Sequence, residues 1–193
     1  MPVAARRNER SRLAILSAAL ELLTESRYAD LTVEAIAARA GVGKQTIYRW
    51  WPTKGAVILD ALTEPAVAAG DIALPDTGDV RTDLRTVIRA TVAEFADPRL
   101  SATTRALTIE TLGSEMLAAQ VRERLLGPQM EAIRERLLAG QAAGQIRTGV
   151  DLDLAVEVLI GPLYHRWLLG TGPLTAAYAD GIVDLAMTAI GTP

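Results

Sequence analysis

TVEAIAARAGVGKQTIYRWWPTKG, residues 32–55, carries two short helical patterns separated by a glycine. Val33, Ile36, Ala37 and Ala40 stand at i, i+3, i+4 and i+7, the spacing of one apolar face over two helical turns. Thr32 precedes that run as a candidate N-cap, and Glu34 lies in the first turn, where unpaired N–H groups favour negative charge. Gly41 follows where a sharp reversal needs positive φ, with Val42 as the plug beneath the turn. A second helix is expected from about Lys44 to Trp51. Ile47 and Trp51, four residues apart, point inward, which leaves Lys44, Gln45, Thr46, Tyr48 and Arg49 outside, and Pro52 ends the run.

A helix, a tight glycine turn and a second helix with cationic, amide and hydroxyl groups outside is the geometry of a helix-turn-helix DNA reader. Lys44 and Arg49 can donate to phosphate or guanine, Gln45 can pair with adenine through two hydrogen bonds, and Thr46 offers a methyl and a hydroxyl to base edges. Periodicity alone serves an ordinary surface helix of an all-α protein equally well.

The longer run LTVEAIAARAGVGKQTIYRWWPTKGAVILDAL, residues 31–62, resembles the tetracycline-repressor (TetR/AcrR) family of bacterial transcriptional regulators. The resemblance is carried by Thr32, Ile36, Ala37, the Ala40-Gly41-Val42 turn, Thr46-Ile47-Tyr48, Trp51 and Lys54. It is strong over residues 10–60 and weak beyond. It implies that Lys54 and Tyr48 grip phosphates while Lys44, Gln45 and Thr46 approach bases. Thr32 and Arg49 complete the expected contact set. It also implies a C-terminal domain whose small-molecule ligand releases DNA. Gly43 departs from the pattern, standing where Ser or Thr is usual; it can hold an N-cap but brings no hydroxyl.

Charge supports the motif separately. The chain of 193 residues has net charge −3. Residues 1–55 hold nine basic and five acidic groups, whereas residues 56–193 hold eleven and eighteen, a basic head on an acidic body. Half the residues are hydrophobic but only 4% are aromatic; Ala and Leu dominate, favouring helix. The absence of cysteine excludes disulfides and cysteine metal sites and suits a reducing cytoplasm. No run approaches the ~20 apolar residues of a membrane span. A cytoplasmic protein is expected.

Outside the motif, residues 1–12 are polar and read as an arm frayed at its start, with Arg6, Arg7 and Arg10 placed to follow a phosphate backbone or to stay solvated. A helix from about Arg7 to Glu25, with Leu13, Leu16, Leu20 and Leu23 on its stripe, completes a three-helix unit, and Tyr28 and Leu31 fold over its end. Trp50 is open between packing and DNA contact. Thr53 caps a helix from Lys54 that fades near Ala69-Gly70, and residues 70–79 form a polar boundary loop. Asp71, Asp76 and Asp79 in that loop lack metal-ligand spacing and read as solvated.

The remainder reads as helices over Val80–Phe95, Leu100–Leu112, Ser114–Leu126, Gln129–Ala143, Leu152–Leu169 and Leu174–Ile190. In the penultimate helix Leu152, Val156, Leu159, Leu163 and Trp167 form one stripe, and Leu154, Val158 and Leu169 form part of another. A helix apolar on more than one face needs a second partner. A C2 homodimer through residues 151–190 is therefore expected.

No catalytic residue, metal or cofactor is assigned. His165 is the only histidine, beside Tyr164 and Arg166 on an apolar helix, and no phosphate loop or dinucleotide fingerprint occurs. Asp151/Asp153 and Asp180/Asp184 read as caps or as solvated or pocket-facing groups, and Glu110 as either pocket-lining or exposed. Phe95, Leu112, Met116, Tyr164, His165 and Trp167 are candidate walls for an effector cavity, although each taken singly reads first as plain core.

The resulting expectation is an all-α chain. It comprises an N-terminal three-helix helix-turn-helix DNA-binding domain, residues 1–55, and a C-terminal helical ligand-binding and dimerisation domain, residues 56–193. Its function is that of a transcriptional regulator, a repressor released from a palindromic operator by an unidentified small molecule. Two alternatives remain: an enzyme built around His165, and a protein-interaction adaptor whose helix-turn-helix reads no DNA.

Overall fold

A computed structural model describes residues 3–64 and 74–192, with side chains described from Asn8 onward except Arg99. The expected fading of the fourth helix near Ala69-Gly70 and the first part of the 70–79 loop, Asp71 included, lie outside the described residues, as do the side chains of Arg6 and Arg7. Apart from one isolated antiparallel bridge between Ile146 and Gly191, the regular structure among the described residues is helical. The helices are α1 (Val3–Glu25), α2 (Val33–Ala40), α3 (Lys44–Tyr48), α4 (Lys54–Thr63), α5 (Val80–Ala96), α6 (Pro98–Leu112), α7 (Glu115–Val121), α8 (Gly127–Ala142), α9 (Leu152–Leu169) and α10 (Ala176–Ile190). A 3₁₀ turn covers Tyr28–Asp30, and a π-helical segment, Arg122–Leu126, joins α7 to α8.

Short-range capping places most helix starts. Thr32, Thr53, Ser114 and Thr175 each accept a hydrogen bond from the backbone N–H three residues on, at 3.1–3.2 Å. Asp79 accepts from Arg81 and Thr82, and Asp151 from Asp153 and Leu154. Each supplies a partner for a donor that the first turn leaves orphaned. Helix α1 starts at Val3, one turn before the expected Arg7, so the polar stretch 3–12 is helical.

The chain divides into two compact units, Met1–Asp71 with Ala102–Leu126, and Ile72–Ser101 with Gly127–Pro193. The boundary expected between residues 55 and 56 falls inside α4, whose Val57, Ile58 and Ala61 are buried in the core of the first unit.

In the first unit that core also takes Ile15, Leu16, Ala18, Ala19 and Leu23 from α1, Tyr28 and Leu31 from the connection, and Val33, Ile36, Ala37, Ile47 and Trp51 from the helix-turn-helix. The α1 stripe is rotated from the expected one: Ile15 is fully buried while Leu13 and Leu20 are only half-buried. The apolar run AILSAALELL offers two adjacent faces, and α2 and α4 select between them. Burying each large aliphatic side chain contributes about 1.5–3 kcal/mol. A smaller cluster joins Leu59 to Leu107, Leu117 and Val121.

The second unit packs α5, α8, α9 and α10 around Leu84, Ile88, Leu137, Leu159, Leu163 and Val183. Its loop is pinned by a buried pair: Arg136 Nε donates to Asp83 Oδ2 at 2.6 Å, and the Asp83 carboxylate also accepts from Thr77 N–H and Oγ–H. Asp76 lies 3.5 Å from the Arg136 guanidinium. Asp180 and Asp184, read from sequence as solvated or pocket-facing, instead pair with Arg89 and with Arg81 and Arg85, stapling α10 to α5.

The break expected at Gly127-Pro128 is absent. The π-helical segment carries the chain straight into α8, and Pro128, which has no N–H to donate, follows directly on that wide turn.

Candidate nucleic-acid interface

Helix α2 ends at Gly41, φ +66°, with Val42 N–H donating to Ala37 O at 2.9 Å and Gly41 N–H to Ala38 O at 3.2 Å. That left-handed cap turns the chain sharply enough to deliver α3 across α2. Helix α3 is only five residues long and cannot hold itself. Ile47, fully buried, and Trp51, 4% exposed, anchor it to the core, and Trp51 Nε1–H donates to Asp60 Oδ2 on α4 at 2.7 Å.

With those anchors inside, Lys44, Gln45, Tyr48 and Arg49 are exposed and Thr46 is half-buried. Gly43 holds the N-cap position without any side-chain hydrogen bond. Lys44 has only a long, exposed ion pair to Glu34 at 3.6 Å, which holds little energy. The Arg49 guanidinium lies 5.3 Å from the centre of the half-buried Trp50 ring, which meets Trp51 edge-on at 5.4 Å. Trp50 thus packs and braces an arginine at once.

Two members of the expected contact set have intramolecular work. Thr32 Oγ1 accepts from Ala35 N–H as the α2 cap, which leaves its own O–H able to donate. Lys54 donates from Nζ to Tyr28 O at 2.9 Å and Leu31 O at 3.0 Å, and lies 4.3 Å from the Tyr28 ring centre. It thereby closes the 3₁₀ turn onto the start of α4.

Beneath it, Tyr28 O–H donates to Glu110 Oε1 at 2.6 Å; burial first, and then this carboxylate, push the Tyr28 phenol pKa well up. Glu110, expected to line a pocket or face solvent, instead rests against the first turn of α4. A Cβ on Gly55 would fall on its Oε2, so a larger residue there would push the carboxylate aside. Other cations of the head are engaged among themselves: Arg39 with Glu21 and Glu25, Arg27 with Asp30, and Arg12 with Glu9 and Glu64. Among the described residues Arg10 and Arg49 have no acidic partner.

The six residues expected to wall an effector cavity separate into groups. Phe95 on α5 stacks on Trp167 of α9 (4.6 Å, 20°), and Tyr164 meets both edge-on at 5.1 and 5.7 Å. Trp167 Nε1–H donates to Ser101 Oγ at 2.6 Å, a partner the sequence did not signal. Burial raises the Tyr164 phenol pKa, with the Glu94 carboxylate adding to the effect.

His165 does not join this cluster and is exposed, because adjacent residues on a helix point about 100° apart whereas residues 164 and 167 share a face. Leu112 and Met116, 85% and 68% exposed, belong to the other compact unit. Among the described residues no group of three or more His, Cys, Asp or Glu could hold a metal ion, and no helix is long and apolar enough to cross a membrane.

Residues 15–61 match bacterial regulatory proteins of the tetR family, and residues 74–186 match the tetracyclin repressor-like C-terminal domain. The uncharacterized HTH-type transcriptional regulator YdeS of Bacillus subtilis is 34% identical over 184 residues, 95% of this chain and 89% of that protein. The DNA-binding transcriptional repressor TetR of Mycobacteroides abscessus is 30% identical over 181 residues, 92% of each chain. The crystal structure of the TetR family transcription regulator SCO0332 superposes with a TM-score of 0.80 at 33% sequence identity, over 95% of this chain and 99% of that one.

Proposed function

The chain belongs to the tetR family of bacterial regulatory proteins and is a DNA-binding transcriptional regulator, and from that premise we propose that it is a ligand-responsive repressor gripping a palindromic operator as a homodimer. The observation that carries the DNA-reading assignment is the division of residues 44–51, α3 and the turn that follows it. Ile47 and Trp51 are locked into the core, and Lys44, Gln45, Tyr48 and Arg49 are left on one exposed surface. Placed in a major groove, Gln45 and Thr46 meet base edges, Lys44 reads guanine or phosphate, and Tyr48, Arg49 and the Thr32 hydroxyl hold the backbone. Lys54 keeps one ammonium N–H for a phosphate while its other two hold the carbonyls of Tyr28 and Leu31.

The dimer reading is supported by the outer face of α9 and α10. Leu154, Val158, Leu169 and Leu185 are 56%, 48%, 64% and 76% exposed, while the stripe through Leu152, Val156, Leu159, Leu163 and Trp167 is buried. Gly161 and Gly181, with no neighbouring atom within 4 Å of a notional Cβ, fall on the same outer faces and permit close helix approach. Four such helices from two copies form a bundle that sets two recognition helices one groove repeat, or a small multiple, apart (~34 Å per turn). His165 lies on this face.

For the effector site we keep Phe95, Tyr164 and Trp167, whose rings pack together in the core of the second unit, so that an effector reaching them would meet aromatic surface suited to an apolar or planar body. Effector binding shifts the population toward a form whose heads no longer match the operator. As a regulator of bacterial genes the protein acts in the cytoplasm.

Selection from a random duplex pool, followed by fluorescence anisotropy over a salt series, tests the reading. A recovered palindrome bound by two chains is expected. Enrichment of no duplex overturns it.

A further inference from the structure

We propose that Asp60 is a positioning residue for DNA recognition, holding the recognition helix through Trp51 while being held itself by Arg124, so that the conformation of residues 122–126 sets the placement of α3. The inference rests on α3 being the DNA-reading helix. Asp60 Oδ2 accepts from Trp51 Nε1–H at 2.7 Å, and Asp60 Oδ1 accepts from Arg124 Nη1–H at 2.5 Å. Arg124 Nη2–H reaches Thr63 Oγ1, further along α4, at 2.8 Å, so the guanidinium grips α4 at two points. The Asp60 side chain is only 22% exposed, and each of its oxygens is committed to one of these donors. Without the guanidinium one oxygen loses its partner and the carboxylate is free to turn toward water, so the Trp51 bond is no longer held in one geometry.

The location of Arg124 gives the relay its use. It sits mid-way along the π-helical segment Arg122–Leu126, a wide turn of a kind concentrated at functional sites. The chain passes from the first compact unit to the second at Leu126–Gly127, the end of that segment. Converting the segment to ordinary α pitch shifts its register by one residue, about 100° around the axis, and takes the guanidinium off Asp60. Trp51, the inward anchor three residues beyond a five-residue helix, then loses the carboxylate that fixes its indole.

The test uses the full-length protein with Arg124→Gln, Trp51→Phe, both together, and Arg124→Lys. The readouts are affinity for the duplex recovered by selection, and amide exchange of residues 44–51 in the absence of DNA. Arg124→Gln and Trp51→Phe are each expected to weaken the duplex about fivefold or more, with the double variant falling short of the product by about threefold. Exchange over 44–51 quickens in Arg124→Gln while α1 amides stay as slow as in wild type, and Arg124→Lys restores both readouts. Wild-type affinity and exchange in Arg124→Gln overturn the proposal. So do independent, multiplying effects of the two substitutions, or a uniform rise in exchange through the whole head. If wild type enriches no duplex, the DNA-reading assignment falls on that result, while exchange over 44–51 still decides the relay. Should Trp51→Phe fail to fold, Asp60→Asn takes its place in the cycle.

Discussion

Replacing Lys54 by methionine separates two roles that its position combines. The ammonium donates to two backbone carbonyls, Tyr28 O and Leu31 O, and lies over the Tyr28 ring. Hydrogen bonds from a charged donor contribute about 1.5–3 kcal/mol each. Lys54 is half-buried, which argues for the lower end, and the methionine stem retains part of the packing. The expected loss is about 2–3 kcal/mol, which for a chain of this length lowers Tm by about 4–12 °C. If the third N–H also neutralises a phosphate, the slope of log affinity against log salt falls by ~0.9 per site. Circular-dichroism melts and anisotropy across a salt series read the two effects separately. A Tm within 1 °C of wild type, together with the reduced slope, would refute the carbonyl clamp and leave a plain phosphate contact.

Asp83→Asn removes the charge partner of buried Arg136 and is expected to cost about 3–5 kcal/mol in urea unfolding, whereas Asp83→Asn combined with Arg136→Met recovers much of it. Burial raises the Asp83 pKa, but hydrogen bonds from Thr77 and Arg136 outweigh it and hold the carboxyl below its ordinary value. Its contribution is therefore complete above the unfolded value near 4 and is lost as pH falls through the folded value. The gap between wild type and Asp83→Asn should narrow in acid, and a gap independent of pH down to unfolding refutes this assignment. Leu185→Glu places a charge on the exposed outer face of α10 and should shift sedimentation from dimer to monomer without lowering helix content; an unchanged dimer would place the interface elsewhere. Gln45→Ala should relax sequence preference by about 1–3 kcal/mol at one base pair and leave the salt slope alone, as read by repeating the duplex selection.

The helix-turn-helix was legible because its signals are short-range. Thr32, Gly41 and Thr53 do at their positions what their side chains and φ preferences dictate, and each acts within five residues. The buried stripe of α9 was legible for the same reason, since its spacing repeats the helical period. The join between α7 and α8 was not. Gly127-Pro128 is the local signature of a break, yet the helix runs on through it, with a wide turn in the segment just before the proline. Among the expected pocket residues, the helical period keeps Trp167 beside Tyr164 and turns His165, its neighbour in the chain, away.

From the sequence alone came the helical class, the cap positions, the basic head and the identity of the inward anchors Ile47 and Trp51. All of these depend on composition or on spacings within a few turns. Tertiary structure decided which polar groups are consumed by one another. Tyr28 meets Glu110 across 82 residues, Arg124 meets Asp60 across 64, and Arg136 meets Asp83 across 53. Such pairings are set by how the helices dock, and a one-residue change of register would replace every partner. A lysine that reads from its motif as a phosphate ligand is, in the folded chain, also a carbonyl clamp.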